Sequence, residues 1–181
     1  MRDVAATVKI RRFMTALAQT MSSAVKVYFT GGASAVLIGW RTSTIDVNLH
    51  LVPDDDRLLR GIPQLKDNLQ INVELACPAH FIPELRGWQE RSLFIDKEGT
   101  LSFFHYDFYA QALAKIERGH SLDLSDVEAM FQRGLVESAP LMQHFEAIEG
   151  YIYRYPALDA RAFRLAVEKA LDAFGNRGGR P

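Results

Sequence analysis

The sequence predicts an α/β chain, a small mixed sheet with flanking helices followed by a helical C-terminal half, and three observations predict it. Short runs rich in β-formers alternate with helix-period segments up to residue 105. From Tyr106 onward the apolar spacing is helical throughout. At 181 residues, 48% apolar and 24% charged, the chain is long and apolar enough to bury a sizeable core. The expected division is an α/β core at 1–105, a helical region packed on it at 106–174 and a disordered tail at 175–181.

The first helix is expected over 3–22, on the spacing of Val4, Val8, Phe13, Leu17 and Met21. Its Lys9, Arg11 and Arg12 read as a solvated face, with RNA or an acidic partner as the sharper alternative. A strand at 26–30 is followed by Gly31-Gly32 as a turn and an apolar helix at 33–40. A second strand carries Asp46 and Asn48. The acidic triplet at 54–56 suits a helix start, and a helix interrupted near Pro63 runs to 69. Alternation at 71–75 marks a third strand, with Ile71, Val73 and Leu75 on one side and Asn72 and Glu74 on the other.

Residues 78–88 read as a loop, and 91–95 with 100–105 as a hairpin turning at 96–99. His105 reads as a packing or capping histidine. Asp107 caps a helix that Gly119 stops, and Asp123 caps another that ends at Gly134. Two further helices are expected at 138–148 and 159–173. The Tyr-Ile-Tyr-Arg-Tyr-Pro run between them reads first as core, with base stacking as its alternative.

The net charge of −1 gives no global basic footprint, so any nucleic-acid contact must be local. One cysteine, Cys77, permits neither an internal disulfide nor a cysteine-based metal site, which agrees with a reducing compartment. No apolar stretch is long enough to span a membrane, and the N-terminus lacks the apolar segment of a secretory signal. A cytoplasmic protein is expected.

The chemistry concentrates at 27–51. In a strand, positions i and i+2 share a face, so Asp46 and Asn48 project side by side and offer oxygen donors to a hard cation. Glu74, on the neighbouring strand, would complete a set of three; its alternative is an exposed acid on a half-solvated strand. Paired glycines opening a helix let backbone N–H groups approach an anion, phosphate in particular. Arg41, Ser43 and Thr44 either meet phosphate oxygens or form a polar loop at the strand entry. Lys115 and Arg118, one helical turn apart, either reach a triphosphate or form an ion-pair network with Asp123 and Asp126.

Gly31-Gly32-x-Ser34 followed by Ser43-Thr44-x-Asp46-x-Asn48 resembles the signature of the DNA polymerase β-like nucleotidyltransferase superfamily, most closely its small AbiEii-type toxin members. Lys115-x-x-Arg118 with Asp123-x-x-Asp126 resembles a helical motif of those toxins. The resemblance covers about 25–135 and implies two Mg²⁺ ions on Asp46, Asn48 and Glu74, which also act as the catalytic set. It implies a nucleoside triphosphate on Gly31, Gly32, Ser34, Arg41, Ser43, Thr44, Lys115 and Arg118. Implied partners are an RNA (tRNA) or protein acceptor and a cognate antitoxin. The superfamily has an acid where this chain has Asn48, which implies weakened transfer or a module that binds nucleotide or antitoxin without turnover.

Overall fold

A computed structural model of the chain describes residues 6–20 and 22–175. Val4 and Met21, expected on the first helix, and residues 176–181 of the expected tail lie outside these. The described chain forms two compact units. One comprises the residues up to Cys77 together with Ser92–Tyr106; the other comprises Pro78–Arg91 and the residues from Asp107 onward. The sequence assigned 78–91 to the α/β core, whereas the structure groups it with the helices.

The α/β unit runs α1 (Thr7–Gln19), β1 (Val25–Thr30), α2 (Gly31–Ile38), β2 (Asp46–Val52), α3 (Asp56–Leu69) and β3 (Asn72–Leu75). The hairpin strands, numbered with the full chain, are β4 (Leu93–Glu98) and β5 (Leu101–His105). They build a mixed sheet in the order β3-β2-β1-β5-β4. β1 is antiparallel to β2 and parallel to β5, β2 is parallel to β3, and β4 is antiparallel to β5.

Alternation along each strand gives the sheet two unlike faces. One face presents Val27, Phe29, Val47, Leu49, Val73 and Phe103 to a core shared with Ile10, Phe13 and Leu17 of α1 and Leu58 of α3. Val8, placed by its spacing on the buried side of α1, is 65% exposed; the buried stripe is Ile10, Phe13, Met14 and Leu17. Asp55 supplies the α3 cap, accepting from the N–H groups of Arg57 and Leu58. The hairpin turns at Gly99-Thr100 rather than at 96–99, with Glu98 opposite Leu101 and Gly99 at φ +57°. Asp96 is drawn into β4, where it meets Arg11 at 2.9 Å.

On the core face His105 lies with Nδ1 3.0 Å from Ser34 Oγ, and that hydroxyl donates to Phe29 O at 3.0 Å. Burial, followed by the positive charge of Arg11, pushes the His105 pKa down from 6.5 to about 4. An unfolded chain therefore takes up a proton at this side chain well before the folded one does. The stabilisation is complete above pH 6.5 and is lost as pH falls through 6.5 towards 4. The gap corresponds to about 3 kcal/mol. Urea titrations across that window should show the slope in wild type and a shallower one in His105→Gln.

The helical unit contains a 3₁₀ turn at Pro78–His80, α4 (Trp88–Arg91), α5 (Phe108–Arg118), α6 (Ser121–Gln132), α7 (Ser138–Glu149) and α8 (Ala160–Phe174). Arg91 holds α4 to the start of α5, its Nε and Nη2 donating to Asp107 Oδ2 at 3.0 and 2.6 Å. The other Asp107 oxygen caps α5 through Tyr109 N, and Gly119 ends the helix at φ +66°. Asp123 does not cap α6. His120 holds that position, and Asp123 lies inside the first turn with its carboxylate on Lys115. Asp159 caps α8 by accepting from Ala162 N, and α7 and α8 meet through Phe145 and Phe163 at 5.0 Å. Among the described residues no helix is long and apolar enough to cross a membrane.

Candidate functional site

The second face of the sheet carries the polar residues. In the β2–β3 ladder Asp46 stands opposite Asn72 and Asn48 opposite Glu74. Residues paired across a ladder share a side, and so do residues two apart on one strand. Asp46, Asn48, Asn72 and Glu74 therefore project together, away from the apolar core. β2 also pairs with β1, which sets Asn48 opposite Thr30, the residue immediately before α2.

Asn72 ties the acids together. Its Nδ2 donates to Asp46 Oδ1 at 2.6 Å and to Glu74 Oε1 at 3.3 Å. Sequence reasoning placed Asn72 beside Glu74 but gave it no role, although its period-2 position was the signal. Asn48 Oδ1 is buried and has no hydrogen-bond partner. A buried amide oxygen left in that state costs about 1–3 kcal/mol.

The helix start is shaped by close packing. Gly31 opens α2 at φ +58°, a conformation that side chains disfavour, and a Cβ there would stand 3.5 Å from Asn48 Nδ2. A Cβ on Gly32 would overlap Thr44 Oγ1 and stand 2.7 Å from Thr44 Cβ. The glycine pair is thus the first turn of α2 itself, and Gly32 is fixed by the approach of Thr44. Thr30 does not cap the helix with its side chain; its hydroxyl points at Ala76 O, 3.5 Å away.

Arg41 brings its Nη1 to within 3.5 Å of the position a Gly32 Cβ would take, so its guanidinium lies by the helix start. Thr44 is buried and donates to Asp46 O at 3.0 Å, fixing the entry to β2; Ser43 is half-buried beside it. Ser34 is fully buried, its hydroxyl engaged by Phe29 O and His105 on the core side. Its expected contact with phosphate is not the arrangement found, because the i+3 position of this helix faces inward.

Lys115 and Arg118 belong to the helical unit. Lys115 is buried, with Nζ 2.9 Å from Asp123 Oδ1 and 2.6 Å from Asp126 Oδ2. Arg118 Nη2 lies 2.8 Å from Asp123 Oδ1, and its guanidinium stands over the Phe81 ring. Of the two readings the sequence left open, the ion-pair network is the geometry present.

The donor set suits a hard cation in one specific way. Among the described residues no group of three or more His, Cys, Asp or Glu is gathered to hold a metal ion. What the face offers is two carboxylates and the unpartnered amide oxygen of Asn48. Two carboxylates and an amide oxygen are donor types that Mg²⁺ takes alongside water and phosphate oxygens. Searches against protein-family models, characterised proteins and solved structures find no match to this chain.

Proposed function

We propose that the α/β unit is a nucleotidyltransferase-type site that binds a nucleoside triphosphate with Mg²⁺ and transfers a nucleotidyl group to an RNA or protein acceptor, at a rate lowered by Asn48. The observation that carries this reading is Asn48 Oδ1, buried without a partner on the face it shares with Asp46 and Glu74. Asp46, Glu74 and the Asn48 oxygen would hold Mg²⁺. When bound, the cation supplies charge neutralisation for the triphosphate and acidifies a neighbouring hydroxyl.

The chain's own residues provide the rest. Asn72 holds the two carboxylates in register through its shared donor. The close fit of Gly32 against Thr44 fixes the α2 start relative to Asp46, and an N-terminal helix end favours phosphate. Arg41 offsets phosphate charge beside that end. Asn48 is the weak point, since an amide oxygen ligates without adding charge. A role as a toxin in the cytoplasm, paired with a cognate antitoxin, is supported by the motif resemblance alone.

A second reading is favoured by one observation: the Asn72 amide occupies a lone pair on each acid of a set that already lacks one charge. On that reading the site binds nucleotide without turning it over. A transfer assay with radiolabelled triphosphates separates the two. Wild type should label an acceptor slowly, and Asn48→Asp should be faster by about 10-fold or more, equivalent to roughly 1.4 kcal/mol of the barrier. Equal rates would refute the impairment assigned to Asn48, and no labelling by either form would favour the binding-only reading.

A further inference from the structure

The run at 151–156 does not form core as expected. Ile152 is buried, and Tyr155, half-buried, donates its hydroxyl to Ala79 O at 3.0 Å, so these two positions anchor the 3₁₀ turn Ile152–Arg154 to the helical unit. The residues between and before them point outward. Tyr153 is 75% exposed and Tyr151 is 50% exposed. The Arg154 guanidinium lies 5.1 Å from the Tyr151 ring centre and 5.6 Å from that of Tyr153, and its Nε donates to the Tyr153 hydroxyl at 3.2 Å. Two rings and a guanidinium are thus prearranged on a short turn, contributing exposed π surface that does nothing for the core.

Two clefts adjoin this turn. One, about 310 Å³, is lined by Pro83, Glu84, Tyr151, Arg154 and Tyr155. The other, about 340 Å³, shares Glu84 and Tyr151 and adds Arg86 and His144. Each reaches the lower end of the size range of small-ligand sites. The charges facing them are Arg86 and Arg154 against the single carboxylate Glu84, because the neighbouring Arg91 is neutralised by Asp107. A surplus of cations beside solvent-facing aromatics matches a ligand with flat bases and a phosphate backbone.

We infer that the Tyr151, Tyr153 and Arg154 turn, with its two adjoining clefts, is a stacking platform for a short single-stranded nucleic acid. Bases stack on the tyrosine rings and phosphates lie against Arg154 and Arg86. With two cations engaged, affinity falls gently with salt, with a log–log slope of about −1.4. The platform lies in the helical unit and uses no residue of the proposed cation site.

The test uses the full chain and fluorescence anisotropy with labelled decauridylate and its deoxythymidine counterpart, in EDTA so that the cation site takes no part. Binding of either probe with the shallow salt slope is expected, and the tighter of the two identifies RNA or DNA as the source. Tyr153→Ala should weaken binding about 10-fold and Arg154→Ala by a comparable factor, with thermal melting unchanged because both side chains are solvent-facing. A Tyr153→Phe variant keeps the ring and should bind as wild type. No binding of either probe at about 100 µM protein, or undiminished binding by Tyr153→Ala, would overturn the inference. Because EDTA removes the proposed cofactor, failure here and failure of nucleotidyl transfer are read separately.

Discussion

Asp46→Ala is expected to abolish Mg²⁺-dependent nucleotide binding while leaving the fold in place. Loss of groups that merely orient metal ligands costs about 10- to 100-fold in affinity. Removing a ligand itself should therefore cost at least about 100-fold. The folding penalty is bounded by one hydrogen bond to a charged group, the one from Asn72, at about 1.5–3 kcal/mol. Glu74→Gln should have the smaller effect, because that side chain is exposed and retains an oxygen that can ligate. Calorimetric titration with a nonhydrolysable triphosphate checks both. Unchanged affinity in Asp46→Ala would remove Asp46 from the site.

Lys115→Met is expected to act on stability. The Lys115 side chain is 5% exposed and that of Asp126 only 2%, and the substitution leaves both carboxylates without that ammonium. Breaking a buried pair on one side typically costs about 3–5 kcal/mol. For a unit of this size the melting temperature should fall by about 10 °C or more. Asp123 is better protected because Arg118 also reaches it. Lys115→Met with Asp126→Leu should recover much of the loss, since an apolar pair of similar volume often substitutes for a buried ion pair. A lysine serving the triphosphate would behave differently, losing nucleotide affinity at constant melting temperature.

Local signals carried the sequence reading where local physics decides the structure. Asp107 and Gly119 bound α5 as their capping preferences require, and the period-2 alternation at 71–75 put Glu74 on the side of Asn72. Leu75 departs from its apolar companions Ile71 and Val73, being 49% exposed at the strand end. The reading gave way where distant partners compete. Asp123 has the residue type of a cap, but its carboxylate is taken by Lys115 and Arg118. Asp96 suits a turn, yet it lies in β4 opposite Phe103, with Arg11 2.9 Å away. The segment 78–91 joins the helices through Arg91 and Asp107, a pair that no local pattern announces.

The same limit applies to the site. The shared face of Asp46, Asn48 and Glu74 was legible because strand periodicity fixes it, and the ladder pairs Asn48 with Glu74 and Asp46 with Asn72. Ser34, expected at phosphate, is buried on the core side against His105, a partner far along the chain. Gly32, expected beside a phosphate, is required by the close approach of Thr44. Tyr151 and Tyr153, expected first in the core, stand in solvent, because Ile152 and Tyr155 already supply the anchors of that turn.

Asp46, Asn48 and Glu74 are proposed to hold a divalent cation together with a triphosphate. Electron paramagnetic resonance with Mn²⁺ in place of Mg²⁺ tests it most directly, following the free-ion signal as protein is added with a nonhydrolysable triphosphate present. A saturable loss of signal is expected, beyond that caused by nucleotide alone, and Asp46→Ala should eliminate it. A signal that the wild-type protein leaves untouched, or one that Asp46→Ala quenches equally well, would contradict it.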